Sequence, residues 1–203
     1  MTFLHALATL WPKIKQSIPI ICMLLLHIFF VFMFSYAHAQ PPENGEAVEG
    51  QEEIKPLIVG EKVPDTFWTT EHTVLENGQI RTVNLQHIKG KPLLLDFWAT
   101  WCASCIKRFP QLDTLRTKYR NELQILLVNS EKTRDTHETI KSHWNTNVKE
   151  LRLPTILGDQ YITQLFPRYA IPYYIWIDRN GRVSAMTSTV FINEKVIESF
   201  LAK

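Results

Sequence analysis

The sequence predicts an α/β fold: a central mixed β-sheet flanked by helices, with an N-terminal β-hairpin extension and a central insert. Two kinds of observation predict it. Two apolar runs of strand length, from Leu93 and from Leu123, are each followed by residues at helical spacing, the pattern of parallel strands. Two Asn-Gly pairs, Asn77-Gly78 and Asn180-Gly181, each lie between β-prone runs, the strongest short signal for a hairpin. With 203 residues, 45% hydrophobic and 21% charged, the chain has enough apolar material for one domain with a core, plus a tail.

Residues 1–39 are the tail. Lys13 and Lys15 precede an apolar segment from Ile18 to Phe34, and Ala37-His38-Ala39 follows, with no acid anywhere in the stretch. That order describes a secretory signal peptide cleaved after Ala39. The alternative is an uncleaved N-terminal anchor, since about 17 apolar residues reach the lower limit for spanning a bilayer. No small residue precedes Cys22, which speaks against a lipoprotein. Without the leader the chain keeps 20 basic and 20 acidic residues and only Cys102 and Cys105. A neutral chain lacks the clustered basic surface of a nucleic-acid binder. An exported chain with one close cysteine pair meets an oxidising compartment such as the periplasm. Residues 40–56 are rich in Pro, Gly and Glu and read as a disordered acidic linker; residues 57–203 form the domain.

Within the domain, Thr73–Leu75 and Ile80–Val83 flank the first Asn-Gly turn, and Asn84–Lys89 forms a short helical turn ending at Gly90. Leu93–Trp98 is a buried strand, with Asp96 inside it. Ile106, Phe109, Leu112 and Leu115 then repeat at helical spacing, so Cys102 and Cys105 fall in the first turn of a helix. Leu123–Asn129 is a second parallel strand. Thr133–Trp144 is helical, with Thr136, Ile140 and Trp144 on one face. The insert, Thr146–Tyr173, holds a strand near Leu153–Ile156 and a helix near Tyr161–Tyr169. A strand up to Ile177 and Arg182–Met186 form the second hairpin, and Asn193–Ala202 closes the domain, turning Val196, Ile197, Phe200 and Leu201 inward.

The chemistry sits at the strand-to-helix junction. A helix N-terminus carries unpaired amides and partial positive charge, which lower a thiol's pKa, and the thiolate is the nucleophile. Cys102 is therefore the exposed attacking thiol, and Cys105, one turn further in, is more buried and resolves the mixed disulfide. A zinc site needs about four ligands, and no second Cys pair or Cys/His pair is present, so no metal is expected. His72, His87, His137 and His143 read as surface or satisfied core histidines.

Asp96, Phe97, Trp98, Ala99, Trp101, Cys102 and Cys105, with Pro110 five residues after the second cysteine, resemble the active site of the thioredoxin superfamily. The N-terminal hairpin, Gly60 with Pro64-Asp65, and the central insert resemble its exported TlpA/ResA-like reductases. The resemblance implies a thioredoxin-like fold and a thiol-disulfide oxidoreductase, a protein disulfide reductase that needs no cofactor. It implies protein thiol or disulfide substrates and an upstream membrane or periplasmic thiol donor, with membrane contact only if the leader stays. It makes Asp96 the buried acid that moves the Cys105 proton; the alternative is a partly solvated acid paired with Lys91 or Lys107. It makes Pro172 a cis-proline facing the cysteines, the alternative being an ordinary trans-proline at a strand start, and it places substrate docking at Trp101, Ile171, Pro172 and Tyr173. Three departures stand out: Ala103-Ser104 between the cysteines, Ile171-Pro172-Tyr173-Tyr174 in the proline loop, and Lys107-Arg108, which favour thiolate. Ala99 stands three residues before Cys102, where a peroxiredoxin needs Thr or Ser. A second reading is a copper-binding carrier of the same fold, since a dithiol suits Cu(I), with His143 the one nameable extra ligand.

Overall fold

The computed structural model describes residue 19 and residues 22–31, 54–148 and 150–202. The chain divides into two compact units, Met1–Gln51 and Glu52–Lys203. In the first, residues 22–31 are helical with exposed side chains. Among the described residues no helix is long and apolar enough to cross a membrane. The expected cleavage site at Ala37–Ala39 lies outside the described residues, and so does the linker up to residue 53.

The second unit holds seven strands: β1 (His72–Glu76), β2 (Gln79–Val83), β3 (Leu93–Trp98), β4 (Gln124–Ser130), β5 (Thr155–Asp159), β6 (Tyr173–Ile177) and β7 (Val183–Thr187). They form one mixed sheet in the order β2-β1-β5-β4-β3-β6-β7. β3, β4 and β5 run parallel, while β6 and β7 on one side and β1 and β2 on the other are antiparallel to their neighbours. The fold is thioredoxin-like, with the N-terminal hairpin β1–β2 extending the sheet at one edge. Asn77 (φ 51°) and Gly78 (φ 75°) both occupy the left-handed region. A two-residue turn that matches the twist of its strands needs that conformation at both central positions, and Asn and Gly adopt it most readily.

β3 is buried at all six positions, and its alternating side chains feed two cores. Leu94 and Trp98 join Ile125, Leu127 and Trp176 under the helices Phe109–Lys118 and Glu194–Leu201. Leu93, Leu95 and Phe97 join Val128, Ile156 and Ile175 on the opposite face, under Asp65–Thr69 and Tyr161–Leu165. Trp98 binds the first core together. Its ring meets Phe109 edge-on at 5.2 Å, and its indole N–H donates to Thr155 Oγ1 of β5 at 2.9 Å.

Several expected bounds shift, each for a local reason. The helix after the cysteines is two helices, Ala103–Ile106 and Phe109–Lys118. Pro110 has no N–H for the Ile106 carbonyl, and its ring would crowd that carbonyl, so the chain turns at Lys107-Arg108. The helix expected from Thr133 begins at His137, because Thr136 caps it: its hydroxyl accepts from the Thr139 N–H, and Thr139 returns the bond. Thr136 is therefore a cap and not an inward residue, while Ile140 and Trp144 are buried. The insert strand starts at Thr155, after Pro154, and the insert helix stops at Leu165, ahead of Pro167. In the closing helix Ile197 alone is fully buried, and Val196, Phe200 and Leu201 pack at its margin. We expect Trp98→Phe, which leaves the Thr155 hydroxyl without its donor and opens space beside Phe109, to lower stability by about 1–3 kcal/mol in chemical denaturation. An unchanged midpoint would deny Trp98 its role as the tie between β3 and β5.

Candidate active site

β3 delivers the chain to Ala99, whose carbonyl accepts from the Cys102 N–H at 3.0 Å. Cys102 is the N-cap of the helix Ala103–Ile106, not a member of its first turn. Its Sγ accepts from the Cys105 N–H at 3.3 Å, and the Ser104 hydroxyl lies 3.5 Å from the same sulfur. Cys102 and Cys105 are joined in a disulfide, with their Cα atoms 5.3 Å apart. As a cap, the sulfur of Cys102 turns back over the helix, so the residue keeps only 6% of its surface. The sequence led us to expect an exposed thiol; in the oxidised state it is a nearly covered one. Cys105 is completely buried, its Sγ 4.0 Å from the Phe97 carbonyl of β3. The expected gradient of burial from Cys102 to Cys105 is thus present but shallow.

Asp96 is fully buried, and neither carboxyl oxygen has a hydrogen-bond partner. No ion pair joins it to Lys91 or Lys107 among the described residues. Burial alone pushes its carboxyl well above the usual carboxylate range. The Ile171–Pro172 peptide is cis. Ile171 packs against the core cluster that contains both cysteines. Ile171, Pro172 and Tyr173 are half-buried, and Trp101 is 65% exposed.

The loop before the cysteines is tied down by residues that no local pattern marked. Asp135 accepts from the Thr100 N–H at 2.9 Å, from the Thr100 hydroxyl, and from Asn129 Nδ2 at 2.7 Å. The Trp101 indole N–H donates to the Thr133 carbonyl at 3.1 Å. β4 and the turn after it therefore hold the two residues that lead into Cys102. Their one sequence signal is a cluster of short polar side chains, Asn129 to Thr136, at the end of a buried strand, where such side chains compete for backbone groups. Behind Phe97 the Arg168 guanidinium stacks at 3.6 Å from the ring centroid; burial lowers its pKa to about 10, against the opposing pull of Asp159.

The histidines divide. His72 is buried, with Nδ1 3.5 Å from Asp159 Oδ1. His143 lies against Trp98, with ring centroids 6.4 Å apart. No group of three or more His, Cys, Asp or Glu side chains converges to hold a metal among the described residues. A cavity of about 540 Å³ opens beneath the hairpin, lined by Glu76, Arg81, Arg116 and Gln124. It lies at the end of the sheet where β4 begins, away from the cysteines at the other end of β3.

Asp96→Asn keeps the shape and removes the buried charge. A carboxyl whose folded pKa is raised binds more protons folded than unfolded, so its contribution to stability falls as pH climbs above the unfolded value. Denaturation midpoints should show Asp96→Asn more stable than the parent, with a larger gain at pH 8 than at pH 4. A variant less stable at pH 8 would mean that Asp96 is an ionised partner of a cation.

Residues 58–201 match the Redoxin family model. The chain is 28% identical over 98 residues to the thioredoxin-like protein YneN of Bacillus subtilis, covering 48% of this chain and 56% of that protein. It is 26% identical over 132 residues to the thiol-disulfide oxidoreductase ResA of the same organism, covering 63% and 69%. Its fold superimposes with TM-score 0.56 on the thioredoxin domain of a thiol-disulfide oxidoreductase from Bacteroides vulgatus, at 20% identity, over 71% of this chain and 99% of that one. The chain belongs to the Redoxin family, and its fold is thioredoxin-like.

Proposed function

We propose that the chain is an exported thiol-disulfide oxidoreductase that reduces protein disulfides through Cys102 and Cys105. The observation that carries this reading is the pairing of the two cysteines in a disulfide, with Cys102 at the helix cap and Cys105 fully buried against β3. A sulfur that receives an amide N–H is stabilised as thiolate, and its neighbour three residues on is close enough to displace a bound partner. The similarity to ResA supports the activity, and the resemblance to TlpA/ResA-like reductases supports the direction. The leader of residues 1–39 supports export to the periplasm.

In the reduced protein the Cys102 thiolate attacks one sulfur of a substrate disulfide. That bond breaks, one substrate sulfur leaves as a thiol, and Cys102 forms a mixed disulfide. Cys105 then attacks the Cys102 sulfur, releasing the second substrate thiol and closing Cys102–Cys105. Two electrons pass to the substrate, and a thiol donor upstream must return them. Asp96 accepts the Cys105 proton as that thiol attacks; its burial with no countercharge suits a base that works above the ordinary carboxylate range. Trp101, Ile171, Pro172 and Tyr173 form the surface on which the substrate's backbone docks.

Turnover of a protein disulfide by the reduced chain, with a thiol reductant in excess, tests the reading. Cys102→Ser should abolish turnover, and Cys105→Ser should accumulate mixed disulfides that a reductant reverses. Trapping by Cys102→Ser and not by Cys105→Ser would reverse the roles. Full turnover by both variants would remove the activity from this pair altogether.

A further inference from the structure

β3 and β6 are antiparallel, and their register sets Asp96 directly opposite Tyr174. Directly paired residues of antiparallel strands project on the same face, with Cβ atoms about 4.5–5.5 Å apart. Both side chains therefore point under the cysteine-bearing helix, into the core that holds Cys105 and Trp98. Both residues are completely buried. Both Asp96 oxygens and the Tyr174 hydroxyl have no hydrogen-bond partner, and the two groups lie within electrostatic reach of each other. Buried polar atoms are almost always paired, with protein or with an internal water. A contact between the two side chains, or one internal water between them, would give these atoms the partners that buried polar groups require.

The surroundings give this pair a direction. Asp96 is sealed on every side. Tyr174 is not isolated: the Thr189 side chain and the Arg108 guanidinium both act on its hydroxyl, and both residues are half-buried. Among the described residues, Arg108 from the turn after the helix Ala103–Ile106 and Thr189 from the turn after β7 act on the Tyr174 end of the pair, and Cys105 belongs to the same core as Tyr174. Burial and the Asp96 charge together drive the Tyr174 hydroxyl far above its usual range, so it works as a neutral donor and not as a phenolate.

We propose that the Tyr174 hydroxyl is the proton exit of Asp96, joined to it directly or through one internal water, and that it opens toward solvent beside Thr189 and Arg108. This rests on Asp96 serving as the base for Cys105. When Cys105 attacks, its proton passes to the Asp96 carboxylate. The carboxylic acid then gives that proton to the bridging water or to the tyrosine oxygen, and the tyrosine releases its own proton outward. Tyr174 ends neutral, as it began, Asp96 ends ionised, and no electron moves in the relay. Tyr174 is a positioning residue, since it acts through Asp96 and touches neither sulfur nor substrate.

Single-turnover kinetics on the full chain, with insulin as the disulfide and pH varied from 5 to 9, separate formation of the mixed disulfide from its resolution. Tyr174→Phe keeps the ring and removes the relay. Resolution should slow by about tenfold, within the range for lost proton-transfer help, while the Cys102 attack keeps its rate. The pH midpoint of resolution should rise, because a donor that stabilised the Asp96 carboxylate is gone. In an Asp96→Asn background Tyr174→Phe should change nothing further. Parental rate and midpoint in Tyr174→Phe would overturn the proposal, and so would equal slowing in both backgrounds, which marks a structural effect. If Asp96→Asn itself resolves at the parental rate, the base assignment fails first and the relay with it. The infrared carboxyl stretch of the unaltered protein, identified by its loss in Asp96→Asn, gives a readout independent of any Tyr174 variant. A hydrogen-bonded position supports the relay, and a free-carboxyl position overturns it.

Discussion

The rest of the domain depends on one constraint: an acid must sit in the middle of a strand that has no exposed side. β3 pairs with β4 on one edge and β6 on the other, and both faces are roofed by helices. A carboxylate placed there is costly unless it is paired or neutral. Among the described residues no ion pair reaches Asp96, and burial raises its carboxyl well above the usual carboxylate range. Surrounding packing must supply the stability that this residue withdraws. The two cores do so, with four tryptophans, Trp68, Trp98, Trp144 and Trp176, among their buried side chains. Large aromatic side chains bury the most area per residue and are suited to that task.

The same strand explains the geometry of the cysteines. β3 ends at Trp98, and the Ala99 carbonyl captures the Cys102 amide. The short helix that follows is interrupted before Phe109, so the disulfide rides on a single turn and not on the long helix. The break at Lys107-Arg108 places Arg108 at the join, where its guanidinium donates to Gln111 Oε1 and also acts on Tyr174. A sequence feature that is only a proline in a helical pattern thus has a geometric result two and three residues before it.

Local pattern carried most of the fold. The apolar runs of β3 and β4, the Asn-Gly turns and the paired cysteines are all short-range signals, and the structure has the elements where those signals lie. What escaped was non-local or competitive. The Thr136 cap beat helical periodicity because a hydroxyl that bonds a backbone amide stops the chain from being helical there. The near-complete covering of Cys102 follows from its sulfur acting as a cap acceptor, which residue type alone does not reveal. Tyr174 entered the sequence reading only as part of the proline loop; its position opposite Asp96 depends on the β3–β6 register, which links residues 78 apart in the chain. Asp135 lies 35 residues from Thr100, and nothing in either segment announces the other.

That Asp135 contact bears on how the protein comes apart. Loops usually open on their own, at far lower free energy than the sheet beneath them. Here the Thr100 amide and hydroxyl and the Trp101 indole are bonded to the end of β4 and the turn after it, and Asn129, itself fully buried, shares the same carboxylate. Releasing the residues ahead of Cys102 therefore means loosening a central strand. The loop before Cys102 is tied to the core, so its bonded Thr100 and Cys102 amides should exchange with solvent far more slowly than those of an untied surface loop.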